Sequence, residues 1–338
     1  MRLYCGIDLH SNNALTKVLD EGDRTVYSKR LPNDLGLIVS ALEPYRPDLV
    51  GIAVESTFNW YWLVDGLMEW GYRVHLANPS AMRQYEGLKY TDDSSDAGWL
   101  ARLLRLGLLP EGYIYPKEDR PLRDLLRKRI HLVRQRTANL LSLQNILHRN
   151  TGRRLSGRAL MSLELEAVRA ELGAGNLMMS VESTLQVLRC LDEQARRVEQ
   201  EVLGQVRPDP VFRLLKTIPG VGEILATTIR LETGQIGRFA STGRYVSYCR
   251  AVGSQKLSNG KFKGQGNRKN GNAYLAWAWL EAANFGIRHH EMVRGWYQRK
   301  LSRTHRVVAL KAVAHKLARA GYHVMRDGVP FEMPLAFG

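Results

Sequence analysis

Residues 49–54 read Leu-Val-Gly-Ile-Ala-Val, six positions without a polar side chain, and the run stops at Glu55. That is short for a helix and right for a strand. An unbroken apolar run, as opposed to an alternating one, marks a strand buried on both faces. Such a strand belongs inside an α/β sheet, and its neighbours fit one. Residues 3–9, 14–20 and 24–31 alternate like strands, with Ser11-Asn12-Asn13 and Glu21-Gly22-Asp23 as turns between them. Asn33 is placed to cap a helix running to about Leu42; residues 58–70 form a second helix and residues 72–77 another strand, followed by Asn78-Pro79. Meander, helix, parallel strand, helix, strand, helix is the order of an RNase H-like fold.

In open α/β sheets ligands gather at the strand ends. Asp8 ends the first strand and Glu55 the buried one. Further on, residues 90–104 put Asp92, Asp93 and Asp96 at the mouth of a helix whose apolar face is Ala97, Leu100, Ala101 and Leu104, with Ser94 or Ser95 as N-cap. Asp93 and Asp96 project to one side of that helix, where they repel each other unless a cation or solvent intervenes. Alone, they would read as an acidic first turn complementing the helix dipole. Together, Asp8, Glu55, Asp93 and Asp96 are a set of hard oxygen ligands of the kind Mg²⁺ prefers. A pair of such ions can clamp a scissile phosphate.

Charge points to a polyanionic partner. The net charge is +16 with a pI near 9.9. Residues 1–99 hold 9 Lys+Arg against 14 Asp+Glu, residues 100–158 hold 14 against 4, residues 159–243 hold 9 against 11, and residues 244–326 hold 17 against 2. An acidic module is therefore followed by two strongly basic stretches. Cys5, Cys190 and Cys249 form no CxxC pair, so neither a zinc site nor a disulfide framework is indicated. No apolar run reaches the ~18 residues of a membrane span, and the expected setting is the reduced cytoplasm, with no signal peptide and no membrane partner.

The stretch 109–121 reads as a Pro-bearing linker. Beyond it, Leu126, Ile130, Val133, Thr137, Leu140, Gln144 and Leu147 step by four and three, as do Val181, Thr184, Leu188, Leu191, Ala195, Val198 and Val202. Two long helices follow from this, packed on each other or on another subunit. The cations Arg123, Arg127, Lys128, Arg129, Arg134 and Arg136 form either a solvated face or a phosphate track. After Pro208 and Pro210, Ile218-Pro219-Gly220-Val221-Gly222 has the character of a helix-hairpin-helix turn, whose Gly220 and Gly222 would let backbone N–H groups approach a phosphate. Residues 254–272 show no apolar periodicity and read as a flexible basic loop bearing Lys256, Lys261, Lys263, Arg268 and Lys269 around Ser258. A serine among cations is ordinarily a solvent-facing loop residue. Phosphoryl chemistry could still use it, because the cations would stabilise an alkoxide.

With these residues assembled, the chain resembles the DEDD transposases of bridge-RNA-guided insertion sequences. Gly6-Ile7-Asp8, Val54-Glu55-Ser56-Thr57, Asn78-Pro79 and Asp93-Ser94-Ser95-Asp96-Ala97 look like that family's RuvC-like domain, and residues 218–222 and 258–264 like its C-terminal transposase domain. The resemblance implies three regions: a RuvC-like α/β catalytic domain (1–109), a linker and coiled-coil oligomerisation region (110–207), and a mainly helical helix-hairpin-helix transposase domain (208–338). It implies an Asp8, Glu55, Asp93 and Asp96 tetrad holding Mg²⁺ (or Mn²⁺), and Ser258 as a nucleophile forming a phosphoserine link to DNA. It also implies donor and target DNA chosen by a noncoding guide RNA, and a tetramer with shared active sites. Asp92 is a rival of Asp93 for the third carboxylate. Ser254 is a rival of Ser258, because Asn259-Gly260 stands where a Ser-Gly pair is common. The competing functions are a Holliday-junction-type nuclease using water and a non-catalytic helix-hairpin-helix DNA-binding protein.

Overall fold

The computed structural model describes residues 1–82, 93–253, 256–264 and 270–338. Its contacts divide the chain into two units: Met1–Lys117 with Ser254–Asn270, and Glu118–Gly253 with Gly271–Gly338.

The first unit is a mixed α/β sheet. In chain order it runs β1 (Leu3–Leu9), β2 (Asn13–Asp20), β3 (Thr25–Pro32), α1 (Leu35–Leu42), β4 (Leu49–Glu55), α2 (Tyr61–Glu69), β5 (Val74–Ala77) and α3 (Asp93–Arg105). The five strands lie in the order β3-β2-β1-β4-β5, antiparallel across β3-β2-β1 and parallel across β1-β4-β5. The apolar run of β4 is buried as expected, because helices cover both faces of the sheet. On one face Ile7, Leu9, Ile52 and Val54 pack with Ile38 and Leu42 of α1 and Leu63 and Leu67 of α2. On the other, Tyr4, Ala53 and Ala77 meet Ala101 and Leu100 of α3. The cap of α1 is Asp34 and not Asn33: its carboxylate accepts from Leu37 N at 2.9 Å, while Asn33 donates to the His10 carbonyl at 3.0 Å. Likewise α3 already begins at Asp93, so Ser94 and Ser95 lie inside its first turn and do not cap it.

The second unit is helical. It holds α4 (Arg120–Thr151), α5 (Gly157–Met161), α6 (Leu165–Leu172), α7 (Asn176–Val206), α8 (Pro210–Leu215), α9 (Glu223–Thr233) and α10 (Thr242–Tyr248). The chain then makes the hairpin β6 (Lys256–Ser258) and β7 (Lys261–Gly264), which groups with the first unit. It returns as α11 (Ala273–His289), α12 (Glu291–Leu301), α13 (Arg306–Asp327) and α14 (Met333–Phe337). The main core gathers around Trp279, Tyr245, Phe212 and Leu317.

The two heptad helices, α4 and α7, pack on each other within one chain. Their contact carries its main apolar clusters toward its two ends. Leu143 and Leu147 meet Val181, Leu185 and Leu188 near the tip, and Leu126 and Ile130 meet Val202 and Val206 at the base. Between these zones Arg136 pairs with Asp192, and beside the basal one Arg129 pairs with Glu199. Leu185 and Asp192 are therefore the buried positions, where the heptads placed Thr184 and Leu191. The cations of α4 are no phosphate track as a set: Arg123 is buried, and Arg127, Arg129 and Arg136 each pair with a carboxylate of the same unit. Among the described residues no helix is long and apolar enough to cross a membrane.

Candidate catalytic site

Because β1 and β4 are parallel neighbours, Asp8 and Glu55 reach the same end of the sheet. The first turn of α3 arrives there too, and Gly6 is what lets it. A Cβ built on Gly6 would stand 2.0 Å from the Ala97 carbonyl oxygen and 2.8 Å from Ala101 N, so α3 rests directly on the backbone of β1. A glycine inside an apolar strand, two residues before a carboxylate, is a legible sign of such an approach. The far end of α3 is tied by Arg102 and Arg105, both of which pair with Asp23 in the β2–β3 turn.

Asp8 is 5% exposed, with Oδ2 3.2 Å from His10 Nε2. The His10 backbone is held in turn, its carbonyl accepting from Asn33 and from Asn59 at 2.9 Å. Sequence reasoning missed His10 and Asn59, and nothing local marks either. Glu55 is half-buried. Burial pushes its carboxyl above the ordinary range, and the charges of Asp8 and Asp96 push it the same way, with His10 opposing. Three of the four expected carboxylates are thus close enough to act on one another. Glu55 and Asp96 share a cleft of about 330 Å³ with Pro79, Met82, Trp99 and Leu100. Asp93 is the first residue of α3; its side chain, and all of Asp92, lie outside the described residues. Among the described residues no three His, Cys, Asp or Glu side chains form a cluster that could hold a metal ion. The chemistry of the set does fit a hard divalent cation: oxygen donors whose burial and mutual repulsion disfavour their charged forms are what such an ion relieves.

The basic segment is not a featureless loop. Asn259 and Gly260 take φ of 50° and 72°, the left-handed pair of a type I′ turn, and close β6 onto β7. Ser258 and Lys261 face each other directly across the turn, both exposed. Lys263 is exposed two residues further on the same face. Lys256 lies on β6 with its side chain undescribed, and Ser254, Arg268 and Lys269 fall outside the described residues. At the end of the segment Asn270 accepts a hydrogen bond from Asn78 Nδ2 at 3.2 Å, just after β5.

The turn at 218–222 separates α8 from α9. Gly220 has φ +79° and its missing Cβ would meet the Ala282 carbonyl oxygen at 2.1 Å, so this glycine serves the packing of the turn on α11. Gly222 is the N-cap of α9, with open space where a Cβ would be and no side-chain cap. A groove of about 610 Å³ runs past it, lined among others by Lys216, Glu223 and His290. The Glu223 carboxylate, held below its usual range chiefly by Arg207, already offers negative charge at that helix end.

Comparison with known proteins accounts for both halves. Residues 5–150 match the DEDD transposase model of IS110-type elements, and residues 212–298 match the transposase model of the IS116/IS110/IS902 family. The chain is 24% identical over 281 residues to a probable family 20 transposase of Pseudomonas aeruginosa, covering 79% of this chain and 81% of the relative. It is 22% identical over 292 residues to the transposase for insertion sequence element IS1111A of Coxiella burnetii, covering 84% and 78%. It is 28% identical over 145 residues to the transposase for insertion sequence element IS1328 of Yersinia enterocolitica, covering 42% and 43%. With matches in both its α/β and its helical part, the chain belongs to the IS110/IS116-type transposases and is a DNA-recombining enzyme.

Proposed function

We propose that this transposase cleaves and rejoins donor and target DNA through a phosphoserine link made by Ser258 beside the Asp8, Glu55, Asp93 and Asp96 carboxylates. A noncoding guide RNA would choose the sites. The observation that supports this reading most is the grouping of Ser254–Asn270 with the carboxylate-bearing sheet and not with the helices that flank it in sequence. A nuclease using water has no need of a hydroxyl there.

In this reading the N-terminal region (1–109) is RuvC-like, and the four carboxylates hold Mg²⁺ (or Mn²⁺), which supplies charge neutralisation at the scissile phosphate. The Ser258 oxygen attacks phosphorus, a serine–phosphate ester forms, and one sugar oxygen leaves. The serine proton passes in net to that oxygen, giving a free hydroxyl. Lys261, facing Ser258 across the turn, favours the alkoxide and the crowded phosphate. Because the ester conserves bond energy, the exchange reverses on a second strand without ATP. Residues 110–207 would assemble a tetramer, and residues 208–338, including Gly220 and Gly222, would engage DNA as a helix-hairpin-helix region. The work would be done in the cytoplasm.

Ser258→Ala is expected to keep nucleic-acid affinity while giving neither recombinants nor a protein–DNA adduct. Wild type denatured during reaction should carry DNA on the peptide containing Ser258. An adduct on Ser254 would reassign the nucleophile, and cut DNA with free ends and no adduct would make the enzyme a hydrolase. Sequencing of copurifying RNA tests the guide: a structured RNA from DNA flanking the gene is expected. With 17 Lys+Arg against 2 Asp+Glu over residues 244–326, affinity should also fall steeply as salt rises, and a flat response would mean these cations are merely solvated.

A further inference from the structure

The ladder between β1 and β4 ends at Ile7 and Val54, one residue short of both carboxylates. Asp8 stays paired with Leu15 of β2 and Glu55 with Ala77 of β5, so each is held from its outer side. Like charge drives the two apart: after burial, Asp8 is the next group that raises the Glu55 carboxyl. What sets their separation lies in the two loops beyond the strands.

Past β1 the chain turns at residues 10–12, and past β4 it crosses residues 56–60 before α2. Asn59 joins these two loops. Its Nδ2 donates to the His10 carbonyl oxygen at 2.9 Å, and its Oδ1 accepts from the Thr57 hydroxyl at 2.9 Å. The amide is committed at both ends, in the one orientation open to it, because a carbonyl oxygen can only accept. Each loop is also tied back to its carboxylate residue. Thr57 N donates to the Glu55 carbonyl at 2.9 Å, and His10 Nε2 stands 3.2 Å from Asp8 Oδ2. A continuous chain of contacts thus runs through Glu55, Thr57, Asn59, His10 and Asp8. Two further bonds steady it: Asn33 Nδ2 donates to the same His10 oxygen at 3.0 Å, and Ser56 N to the Ala77 carbonyl at 3.0 Å. All of these residues belong to Met1–Lys117.

We propose that Asn59 is a positioning residue that holds the loop after Asp8 against the loop after Glu55, setting the separation of these two carboxylates for a divalent cation. The role rests on the reading of Asp8 and Glu55 as ligands of that cation. A hard cation takes its oxygen donors at nearly fixed distances, and side chains that orient the donors count for affinity almost as the donors do. Stability alone gives little reason for the arrangement. Both bonds of Asn59 are only partly buried, so water could satisfy the same groups.

The test uses the full-length protein free of nucleic acid and follows its melting temperature as Mg²⁺ is titrated. Asn59→Leu, similar in size but unable to bond either loop, should melt within a few degrees of wild type before Mg²⁺ is added. Its half-maximal stabilisation should then need about 10- to 100-fold more Mg²⁺. Thr57→Val, which frees only the far end of the amide, should move the midpoint the same way by less. Thr57→Ser, which keeps the hydroxyl, should bring it back. A wild-type midpoint in Asn59→Leu would overturn the proposal, even if that variant melts lower, since lost stability at an unmoved midpoint is what a purely structural residue gives. If Asn59→Leu does not fold, a wild-type midpoint in Thr57→Val overturns it instead. Glu55→Gln, run beside wild type, separates the two ideas: Mg²⁺ that acts equally on both removes the reading of the carboxylates as ligands, whatever Asn59 does.

Discussion

Glu55→Gln is expected to leave a folded, DNA-binding protein that cuts DNA slower by on the order of 10³-fold or more, the scale of several kcal/mol of lost charge stabilisation. It is also expected to melt no lower than wild type. The two halves of this result share a cause. Burial first, and then the charges of Asp8 and Asp96, raise the Glu55 carboxyl in the folded protein. In the window between the ordinary glutamate value and the raised one, the folded state holds a proton that the unfolded chain has released. Stability from this group is therefore full below the ordinary value and is lost as pH rises through the raised one. Glutamine never ionises, so the variant escapes that loss at neutral pH. The melting temperature of wild type should fall relative to Glu55→Gln as pH rises through and above the ordinary glutamate range. Mg²⁺ should restore it in wild type and act weakly on the variant. Asp8→Asn and Asp96→Asn are expected to lose cleavage similarly. Undiminished cutting by Glu55→Gln, or by wild type in excess EDTA, would sink the metal-dependent reading.

Gly6→Ala is the second change with a large expected effect, and it touches no charged group. The new methyl would stand 2.0 Å from one backbone atom of α3 and 2.8 Å from another, so no rotamer change relieves it. Either the helix lifts from the strand or the strand bends, at a cost of about 1–3 kcal/mol or more. Asp96 rides on the lifted turn while Asp8 stays on the strand, so cleavage should fall further than the loss of folded protein explains. Gly112→Ala is the control, since its nearest neighbour would be at 3.5 Å, an ordinary contact. Thermal melts and cleavage rates for the two variants decide the matter. A Gly6→Ala protein as stable and active as the control would mean that α3 has slack over β1.

Much of the sheet was legible because its signals are local. An unbroken apolar run too short for a helix reads as a strand covered twice, and β4 is covered by α1 and α2 on one side and α3 on the other. Strand ends then gave Asp8 and Glu55. What stayed hidden depends on partners far apart in sequence. The heptads of α4 and α7 promised a seam but not its occupants, and Asp192 holds a buried place because Arg136 and Arg196 meet it there. Arg127 looked like one cation among six, since Glu232 stands 105 residues away. Around Ser258 the hairpin signal was present in Asn259-Gly260, but strands of three and four residues rich in cations lack the alternation that makes such a pair persuasive. Gly220 was read for phosphate approach alone; that its missing side chain also admits the backbone of α11 depends on a partner distant in sequence.

The division of the chain also sets an order in time. The ribosome releases Met1–Lys117 first, and that piece contains all five strands of the sheet together with Asp8, Glu55 and α3. The last part of the same unit, Ser254–Asn270, emerges some 140 residues later, roughly 7 to 30 seconds at the usual pace of synthesis. Until then the helical unit is also incomplete, and the nascent protein has its carboxylates but not its hairpin. A truncated transcript or a stalled ribosome thus yields the carboxylate-bearing sheet without the hairpin. If Ser258 is the nucleophile proposed above, unfinished chains of this transposase would be unable to form a phosphoserine link.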